Sequence, residues 1–328
     1  MEAHAARSAP RIPAAVAEDL ARVEERLAAE LASREERLSA VAAHLVRAGG
    51  KRVRPTVVLL VFHAAAERGL ARRDDAIEAA VALELIHSAT LLHDDIIDGG
   101  ETRRGRPSAL RTFGVADTLV AGDFLFSRAF ALCARFEAEV IRWAADACVS
   151  LTEGEVLQSR FRRNPAVTLA DYLEIIRRKT AALFEAGART AAHLAGARPE
   201  VVAAMAACGH HVGLAFQVSD DLLDVAGNPA VTGKPRGIDL RDGNPSLPIV
   251  LALRADPSLA EFFARDGLAP AEIEAGLARI GHTGVLGPVA ERVREHVRAA
   301  LAEIGHLRPS GHRDALETLA TGLGVRAA

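Results

Sequence analysis

Apolar residues recur at helical intervals along most of the chain. Near the N-terminus they are spaced by three and four residues, at Val16, Leu20, Val23, Leu27 and Leu31. Charged residues fill the positions between them, so the apolar side chains share one face of a helix. This pattern predicts an amphipathic helical segment from Ala14 to about Ala48, which the Gly49–Gly50 pair ends.

The rest of the chain predicts more helices, separated by segments rich in glycine and proline. A strongly apolar helix begins at Pro55, and another follows a cap at Asp74 or Asp75. Two polar loops, Gly99–Pro107 and Gly227–Pro245, interrupt the series. Further long helices are predicted at about 115–136, 138–161, 169–195 and 200–226.

The composition supports an all-α chain. Apolar residues make up 50% of the 328 residues and aromatic residues only 4%, and no spaced runs of valine, isoleucine and threonine indicate strands. No shift in composition marks a linker between domains. We therefore expect a flexible N-terminus over residues 1–13 and one antiparallel helical bundle over residues 14–328.

Charge and cysteine content favour a local site in a cytoplasmic protein. The 43 acidic and 40 basic residues are interspersed and give a net charge of −3, so no basic surface for nucleic acid is expected. Cys133, Cys148 and Cys208 lie in helix-like stretches and are predicted to be buried, reduced thiols. The longest uncharged apolar run, Val57 to Ala66, is about half a bilayer span. We expect at most peripheral contact with a membrane.

Three carboxylates end the apolar helix that precedes the first polar loop. In Leu91–Asp98 the spacing Asp-Asp-x-x-Asp puts Asp94 and Asp98 one turn apart on the same helical face. Like charges at this spacing repel, and the negative end of the helix dipole adds to the cost. A solvated acidic helix end is the simplest interpretation of one such segment. The alternative is a site for a hard cation such as Mg²⁺, which carboxylates hold together with substrate phosphates.

A second segment repeats this arrangement. Phe216–Asp224 carries Asp220, Asp221 and Asp224 at the same spacing, again at the end of an apolar helix and before a polar loop. The shared placement argues against a chance match. Two such clusters facing each other would clamp phosphate groups through several metal ions.

Basic residues accompany both acidic segments. Lys51, Arg52 and Arg54 stand in a glycine turn at the start of a helix, where free backbone N–H groups also attract anions. An exposed charged turn is the simpler interpretation of this group alone. Arg103–Arg104 follows the first acidic segment and Lys234 follows the second, so each segment has a downstream cation that could contact phosphate.

Several motifs occur in the order found in one enzyme family. They are Gly49–Pro55, His87, His93–Asp98, Arg103–Arg104, Gly154-Glu155-x-x-Gln158, Lys179-Thr180, Phe216–Asp224 and Gly233–Leu240. Over about residues 40 to 250 the chain resembles the trans-isoprenyl diphosphate synthase (polyprenyl synthetase) family. The resemblance implies an isoprenoid synthase bundle with a central active-site cavity, and a homodimer. It also implies a Mg²⁺-dependent prenyltransferase that condenses isopentenyl diphosphate with an allylic diphosphate into an all-trans polyprenyl diphosphate.

The resemblance implies a role for each matching residue. The main magnesium ligands would be Asp94, Asp98 and Asp220, with water-mediated, supporting or remaining coordination positions for Asp95, Asp221 and Asp224. The allylic diphosphate would be bound by Arg103, Lys179, Thr180, Gln217 and Lys234. Isopentenyl diphosphate would be bound by Lys51, Arg54, His87 and Arg104. The predicted catalytic residues are Asp94, Asp98, Lys179, Asp220 and Lys234. Without the motif, His87 would be read as a core histidine bonded to a carbonyl.

One position departs from the family pattern. The family often has a second lysine in a Gly-Lys-x-x-Leu-Pro context, whereas Gly243–Pro248 has Asn244 at that place. Binding of the allylic diphosphate would then depend more on Lys234 and Arg103.

Product length is predicted from the helix that carries the first acidic segment. Ala89 and Thr90 lie one turn before Asp94 and are small, whereas short-chain members of the family often have an aromatic residue there. We therefore expect a deep pocket and a long product of about six to ten isoprene units. Phe126 or Phe130 on the neighbouring helix could close the pocket earlier, which would give a farnesyl or geranylgeranyl diphosphate synthase instead.

Two other classes of function are alternatives. A class I terpene cyclase or a head-to-head condensing enzyme shares the helical architecture and an acidic motif, but usually lacks the Gly49–Pro55 turn and the Lys234 motif. The regulatory subunit of a heteromeric synthase would not be an enzyme, but such subunits typically lose the acidic motifs that this chain keeps.

Overall fold

Helices make up 77% of the described structure. The computed structural model describes residues 12–66, 69–227 and 236–326. The first half of the chain forms α1 Ala14–Glu30, α2 Glu36–Val46, α3 Val53–Ala65, α4 Arg73–Ile97, α5 Ala109–Phe113, α6 Val115–Cys133 and α7 Ala138–Phe161. The second half forms α8 Leu169–Ile176, a π-helical turn Arg177–Ala181, α9 Ala182–Leu194, α10 Pro199–Ala226, α11 Ile238–Asp242, α12 Leu247–Ala255, α13 Leu259–Ala264, α14 Pro270–His282, α15 Leu286–Ile304 and α16 Gly311–Arg326. The predicted all-α class is confirmed.

The two longest described helices, α4 and α10, carry the acidic segments at their C-terminal ends. α4 packs against α6, whereas α10 packs against α9 and α15. Within residues 12–66, 69–227 and 236–326, only these two helices are long and apolar enough to cross a membrane, and 78% and 61% of their apolar windows are buried inside the protein. Their apolar composition is thus accounted for largely by the core that they build.

The N-terminal segment differs from its prediction because it forms two helices. α1 ends at Glu30 and α2 begins at Glu36. In the segment between them the Ser33 N–H donates to Ser39 Oγ at 2.8 Å, and the Glu35 N–H donates to Ser33 Oγ at 3.2 Å. Such local serine bonds compete with the helical hydrogen bonds and end the helix.

The predicted caps of α4 are wrong. α4 begins at Arg73, and its N-cap residue Arg72 makes no side-chain capping bond. Asp74 and Asp75 instead lie within the first turn, where the helix dipole favours negative charge. Asp74 accepts from Arg22 at 2.7 Å, and Asp75 accepts from Arg72 at 2.8 Å.

A short hairpin stands where a plain loop was predicted between Gly99 and Pro107. Its strands are β1 Thr102–Arg103 and β2 Arg106–Pro107, paired antiparallel. Arg104 and Gly105 between them both have positive φ, 53° and 74°, as tight two-residue hairpin loops require. The hairpin fixes the direction of the arginine pair, so that Arg103 reaches back to the end of α4.

The π-helical turn interrupts a region that was predicted to be one helix. A Cβ atom on Gly154 of α7 would lie 2.7 Å from the Lys179 backbone nitrogen, and a Cβ on Gly213 of α10 would lie 2.7 Å from Ala181 Cα. The turn is therefore wedged between two helices at positions that only glycine allows. π-Helical turns of this kind often mark functional sites, and this one carries Lys179 and Thr180.

All three cysteines are free thiols. Cys133 and Cys208 are buried, and Cys148 is half-buried. Burial raises the pKa of Cys133 to about 11 and that of Cys148 and Cys208 to about 12, so the three side chains stay protonated. The structure agrees with the prediction of buried, reduced thiols, except that Cys148 is only half-buried.

Candidate active site

The carboxylates that end α4 meet cations from other helices. Lys179 Nζ, on the π-helical turn, lies 3.8 Å from Asp94 Oδ1, pairs with Glu155 and donates to Gln158 Oε1 at 2.8 Å. Asp98, which caps α4, pairs with Arg162 at the end of α7. The repulsion expected from the spacing of the aspartates is therefore offset by charges from distant parts of the chain.

Asp94 has a raised pKa because it is buried next to other carboxylates. Burial raises its pKa to about 7, and the neighbouring carboxylates of Glu155 and Asp98 add to this effect against the opposing charge of Lys179. Burial alone would lower the pKa of Lys179, but Asp94 and Glu155 raise it above its ordinary value. The lysine thus remains charged, and Asp94 ionises fully only where more positive charge is supplied.

Asp95 faces away from this pair and binds the hairpin. Arg103 donates to Asp95 Oδ1 from Nε at 2.9 Å and from Nη2 at 2.5 Å. Asp95 is fully buried, and burial raises its pKa in spite of the arginine. Its second oxygen, Oδ2, is buried with no hydrogen-bond partner among the described residues, so one acceptor is available to a further donor or cation.

The second acidic segment is held by a network of donors. Asp221 Oδ2 accepts from the Tyr172 hydroxyl at 2.7 Å and from the Leu247 N–H at 3.0 Å. Gln217 Nε2 donates to Asp221 Oδ1 at 2.9 Å, and Gln217 Oε1 accepts from Thr180 Oγ1 at 2.8 Å. Burial raises the pKa of Asp221 to about 6 against these donors. The network joins α10 to the π-helical turn and fixes the neighbouring Asp220.

Asp224 binds the start of α11. The backbone N–H groups of Ile238 and Asp239 each donate to its carboxylate at 3.1 Å, and the Gly237 N–H donates to its carbonyl at 2.8 Å. Both Asp221 and Asp224 therefore already use their oxygens on protein donors. The structure gives them a positioning role beside Asp220, and metal contact by either one stays a prediction.

Among the predicted residues for isopentenyl diphosphate, Arg54 and Arg104 both lie near enough to His87 to affect its pKa. The Arg54 guanidinium stacks 4.7 Å from the Phe184 ring centroid, and its Nε is buried with no partner among the described residues. Burial lowers the pKa of Arg54 to about 10, although Glu84 and Asp220 raise it. A buried guanidinium with an unused donor is a place where an anion would be stabilised.

His87 is neutral among arginines. Burial lowers its pKa well below the ordinary value, and the positive charges of Arg54 and Arg104 lower it further. The imidazole can therefore offer one N–H donor without adding a charge. Arg104 lies over Gly50, where a Cβ atom would stand 3.0 Å from its guanidinium, and Lys51 is exposed at the rim.

Several contributors to the site were missed from the sequence. Arg52 lies in a quoted motif without an assigned role, yet it donates to Glu24 at 2.5 Å and to Glu84 at 2.7 Å and so holds the glycine turn in place. Arg162 and Tyr172 belong to none of the recognised motifs. Glu155 belongs to one of them, but no role was predicted for it. Lys234, which was predicted to bind the allylic diphosphate, lies outside the described residues.

A cavity of about 110 Å³ opens between α8, the π-helical turn, α10 and the segment before α12. Its polar lining includes predicted ligands of the allylic diphosphate. The lining residues are Gln158, Tyr172, Ile175, Ile176, Lys179, Thr180, Gln217, Asp221, Asp239, Asn244, Pro245 and Ser246.

The predicted determinants of product length lie on the facing sides of α4 and α6. Ala89 is fully buried, and the Thr90 hydroxyl donates to the His87 carbonyl at 2.8 Å. On α6, Phe126 stacks with Phe130 at 6.4 Å between ring centroids, but Phe130 is 44% exposed. Because Phe130 lies at the surface, Phe126 is the better candidate for the floor of the pocket.

The carboxylates suit magnesium by their chemistry. Among the described residues no three histidine, cysteine, aspartate or glutamate side chains are close enough to hold a metal ion by themselves. Mg²⁺ rarely uses such a cage, since it is usually bound by one or two carboxylates, water and substrate phosphates. The unpartnered oxygen of Asp95 and the raised pKa of Asp94 also indicate a place where positive charge is lacking.

Comparison with known proteins identifies the family. The model of the polyprenyl synthetase family matches residues 35–278. The all-trans-nonaprenyl-diphosphate synthase (geranyl-diphosphate specific) of Rhodobacter capsulatus is 34% identical over 311 residues, which cover 93% of this chain and 94% of that protein. The geranylgeranyl diphosphate synthase of Methanosarcina mazei is 35% identical over 271 residues, covering 81% and 82%.

A solved structure agrees in fold as well as in sequence. The polyprenyl synthase from Caulobacter crescentus CB15, complexed with calcium and isoprenyl diphosphate, superimposes with a TM-score of 0.90 at 34% identity and covers 97% of this chain and 98% of that one. The chain belongs to the polyprenyl synthetase family. The predicted family and the prenyltransferase class are therefore confirmed.

Asp94→Asn removes a buried charge while keeping the shape of the side chain. The pKa of Asp94 in the folded protein is raised to about 7, so its side chain is protonated below that pH. As the pH rises through 7 this favourable protonated form is lost, and the stability of the folded protein falls. We expect the variant to unfold about 1–3 °C above the wild type at pH 8, with a smaller difference at pH 6. We also expect it to make no product. Thermal circular dichroism and a product assay measure the two effects.

The control is Asp146→Asn, because Asp146 is exposed on α7. It should change neither the melting temperature nor turnover. An Asp94→Asn protein that melts well below the wild type at pH 8 would show that the carboxylate stabilises the fold through Lys179. Full turnover by that variant would remove Asp94 from the catalytic site.

Proposed function

We propose that this chain is a Mg²⁺-dependent trans-polyprenyl diphosphate synthase that joins isopentenyl diphosphate head-to-tail to an allylic diphosphate. The proposal rests on one observation, that the same bundle contains two different places that suit a diphosphate. The acidic segments with Lys179 suit a diphosphate bound through cations, whereas Arg54 offers a buried, unused donor of its own. Two diphosphate substrates require two such places.

The residues have distinct tasks in this reaction. Lys179 and Arg103, with Lys234, bind the allylic diphosphate and stabilise the charge that grows on it as its bond to carbon breaks. Bound Mg²⁺, held by Asp94, Asp98 and Asp220, would neutralise the same leaving group. The alkene of isopentenyl diphosphate then attacks the delocalised carbocation, and a proton is lost to the departing pyrophosphate.

The second substrate is held by the basic residues around His87. Arg54, Arg104 and Lys51 bind its diphosphate, and neutral His87 adds a donor without adding repulsion to the arginines. The diphosphate of this substrate is not a leaving group, so direct arginine contacts suffice. The apolar faces of α4 and α10 keep water from the cation, because water would quench it.

We propose a long product, about C30–C50, from the small residues on the predicted floor. Ala89 is buried and Thr90 is tied to a backbone carbonyl, so neither side chain fills the space below Asp94. The Rhodobacter capsulatus relative is named for a nonaprenyl product, but the Methanosarcina mazei relative is named for a geranylgeranyl product. A shorter chain length is therefore the second candidate.

The purified chain is expected to make a polyprenyl diphosphate from isopentenyl diphosphate and an allylic primer in the presence of Mg²⁺. Chelation with EDTA should abolish product formation, and added Mg²⁺ should restore it. Mass spectrometry of the dephosphorylated products measures both yield and length with geranyl, farnesyl and geranylgeranyl primers.

The same assay separates the alternatives. A terpene cyclase would consume the allylic diphosphate alone and release a hydrocarbon. A regulatory subunit would show no turnover without a catalytic partner. Product formation that persists in EDTA would contradict the metal requirement but not the prenyl transfer.

Ala89→Phe is expected to shorten the main product by several isoprene units, because the ring would fill the space next to the growing chain. Ala89→Leu should have an intermediate effect. Since Ala89 is fully buried, each variant costs about 1–3 kcal/mol of stability through overpacking, and circular dichroism checks that it folds. A folded Ala89→Phe protein with the wild-type product would place the floor elsewhere, with Phe126 as the next candidate.

We propose that the chain forms a homodimer through α6 and α7. Among the described residues, eleven large hydrophobic side chains are exposed, and seven of them lie on these two helices. The seven are Val115, Leu119, Val120, Phe130, Ile141, Val149 and Val156. An apolar surface of this kind is typical of a subunit interface. A cytoplasmic location, with at most peripheral membrane contact, completes the proposal.

Val149→Glu should shift the protein toward a monomer in analytical ultracentrifugation, because a charge would be buried without a partner. Val149 is 58% exposed and Val325 on α16 is 46% exposed. Val325→Glu is therefore the matched control and should leave the dimer intact. A wild-type protein that sediments as a monomer at all concentrations would contradict the proposed interface.

A further inference from the structure

Position 244 lacks the positive charge that the family pattern often places there. Asn244 lines the cavity beside Lys179 and Gln217, and its side chain is neutral. A diphosphate in this cavity would carry several negative charges, so the loss of a lysine removes one of the cations that balance it. A cation from another part of the chain would restore this balance.

Arg162 reaches this position from the end of α7. Its Nε and Nη2 atoms both lie 3.4 Å from Asn244 Oδ1. The same Nη2 donates to Asp98 Oδ1, and Nη1 donates to the Ile97 carbonyl at 3.5 Å. The guanidinium therefore stands between the first acidic segment and the residue that replaces the lysine.

The backbone holds Arg162 in this place. The Arg163 N–H donates to the Gly243 carbonyl at 2.8 Å, which pairs the two loops next to Arg162 and Asn244. Gly243 has a φ of 72°, and a Cβ atom there would lie 2.3 Å from Arg163 Cγ. A larger residue at position 243 would push the loops apart. The closeness of Arg162 to Asn244 is thus built into the packing of the loops.

We propose that Arg162 is a diphosphate-binding residue that supplies the charge missing at Asn244. The inference rests on the proposed function and adds a residue to its allylic site. A divalent cation at Asp98 would compete with the guanidinium for the carboxylate, while the Asn244 amide oxygen keeps the guanidinium near the cavity. A guanidinium also presents paired N–H donors that match two phosphate oxygens, which a lysine does not.

The role predicts different effects on the affinities for two ligands. Arg162→Gln should weaken pyrophosphate binding in the presence of Mg²⁺ about tenfold, the size expected for the loss of a hydrogen bond to a charged group. The same change should leave the affinity for Mn²⁺ alone unchanged or increase it, because a competitor for Asp98 is removed. Calorimetry measures pyrophosphate binding, and electron paramagnetic resonance of free Mn²⁺ measures the metal affinity.

Two further variants sharpen the test. Arg160→Gln changes an exposed arginine on the same helix and should alter neither affinity. Asn244→Lys restores the lysine of the family pattern, so the double variant Arg162→Gln/Asn244→Lys should regain most of the pyrophosphate affinity. Melting temperatures establish that each variant is folded. If Arg162→Gln does not fold, Arg162→Lys takes its place in the test. Because it keeps the charge, its loss of pyrophosphate affinity relative to the wild type should be smaller than tenfold.

The proposal is overturned if Arg162→Gln binds pyrophosphate as tightly as Arg160→Gln does. It is also overturned if pyrophosphate and Mn²⁺ are weakened together, since this result indicates a structural role. Failure of Asn244→Lys to restore binding in the folded double variant would contradict the replacement of one cation by the other. A wild-type protein that binds no pyrophosphate with Mg²⁺ would instead overturn the proposed function itself.

Discussion

The structure depends on keeping several carboxylates close together where water is scarce. Two long apolar helices end in aspartates, and burial raises the pKa of Asp94, Asp95, Asp221 and Asp224. These aspartates therefore lie beside cations or hydrogen-bond donors, most of which come from other elements of the chain. Asp94 is balanced by Lys179, Asp95 by Arg103, Asp98 by Arg162, Asp221 by Tyr172 and Gln217, and Asp224 by the N–H groups of α11. The hairpin, the π-helical turn and the polar loops can be understood as the parts that deliver these partners.

The two proposed diphosphate sites are built differently, which fits two substrates with different fates. A leaving diphosphate needs stabilisation that grows during the reaction, which metal ions held by the carboxylates would supply as Lewis acids. A diphosphate that stays attached needs only to be bound. Arg54, stacked on Phe184 with an unused donor, and neutral His87 would meet that simpler need. The departure at Asn244 lies on the side of the proposed metal site, where Arg162 stands next to it.

The sequence predicted the parts of this molecule that repeat a local pattern. Helical periodicity located α4 and α10, and the spacing of aspartates located their acidic ends. The sequence did not predict the π-helical turn, because that turn depends on the approach of Gly154 from another helix. It also could not pair Arg162 with Asp98, since the two residues are 64 positions apart and carry no shared motif. The split after α1 was missed because two serine bonds outweigh a continuous apolar pattern.

The central claim is that the acidic ends of α4 and α10 together bind the metal ions of a diphosphate complex. Anomalous diffraction from crystals grown with Mn²⁺ and a thiolo analogue of an allylic diphosphate tests it directly. We expect manganese peaks that bridge phosphate oxygens to Asp94 and Asp98 on one side and to Asp220 on the other. Peaks confined to surface carboxylates, or a diphosphate bound in the cavity without any metal at these three residues, would contradict the account.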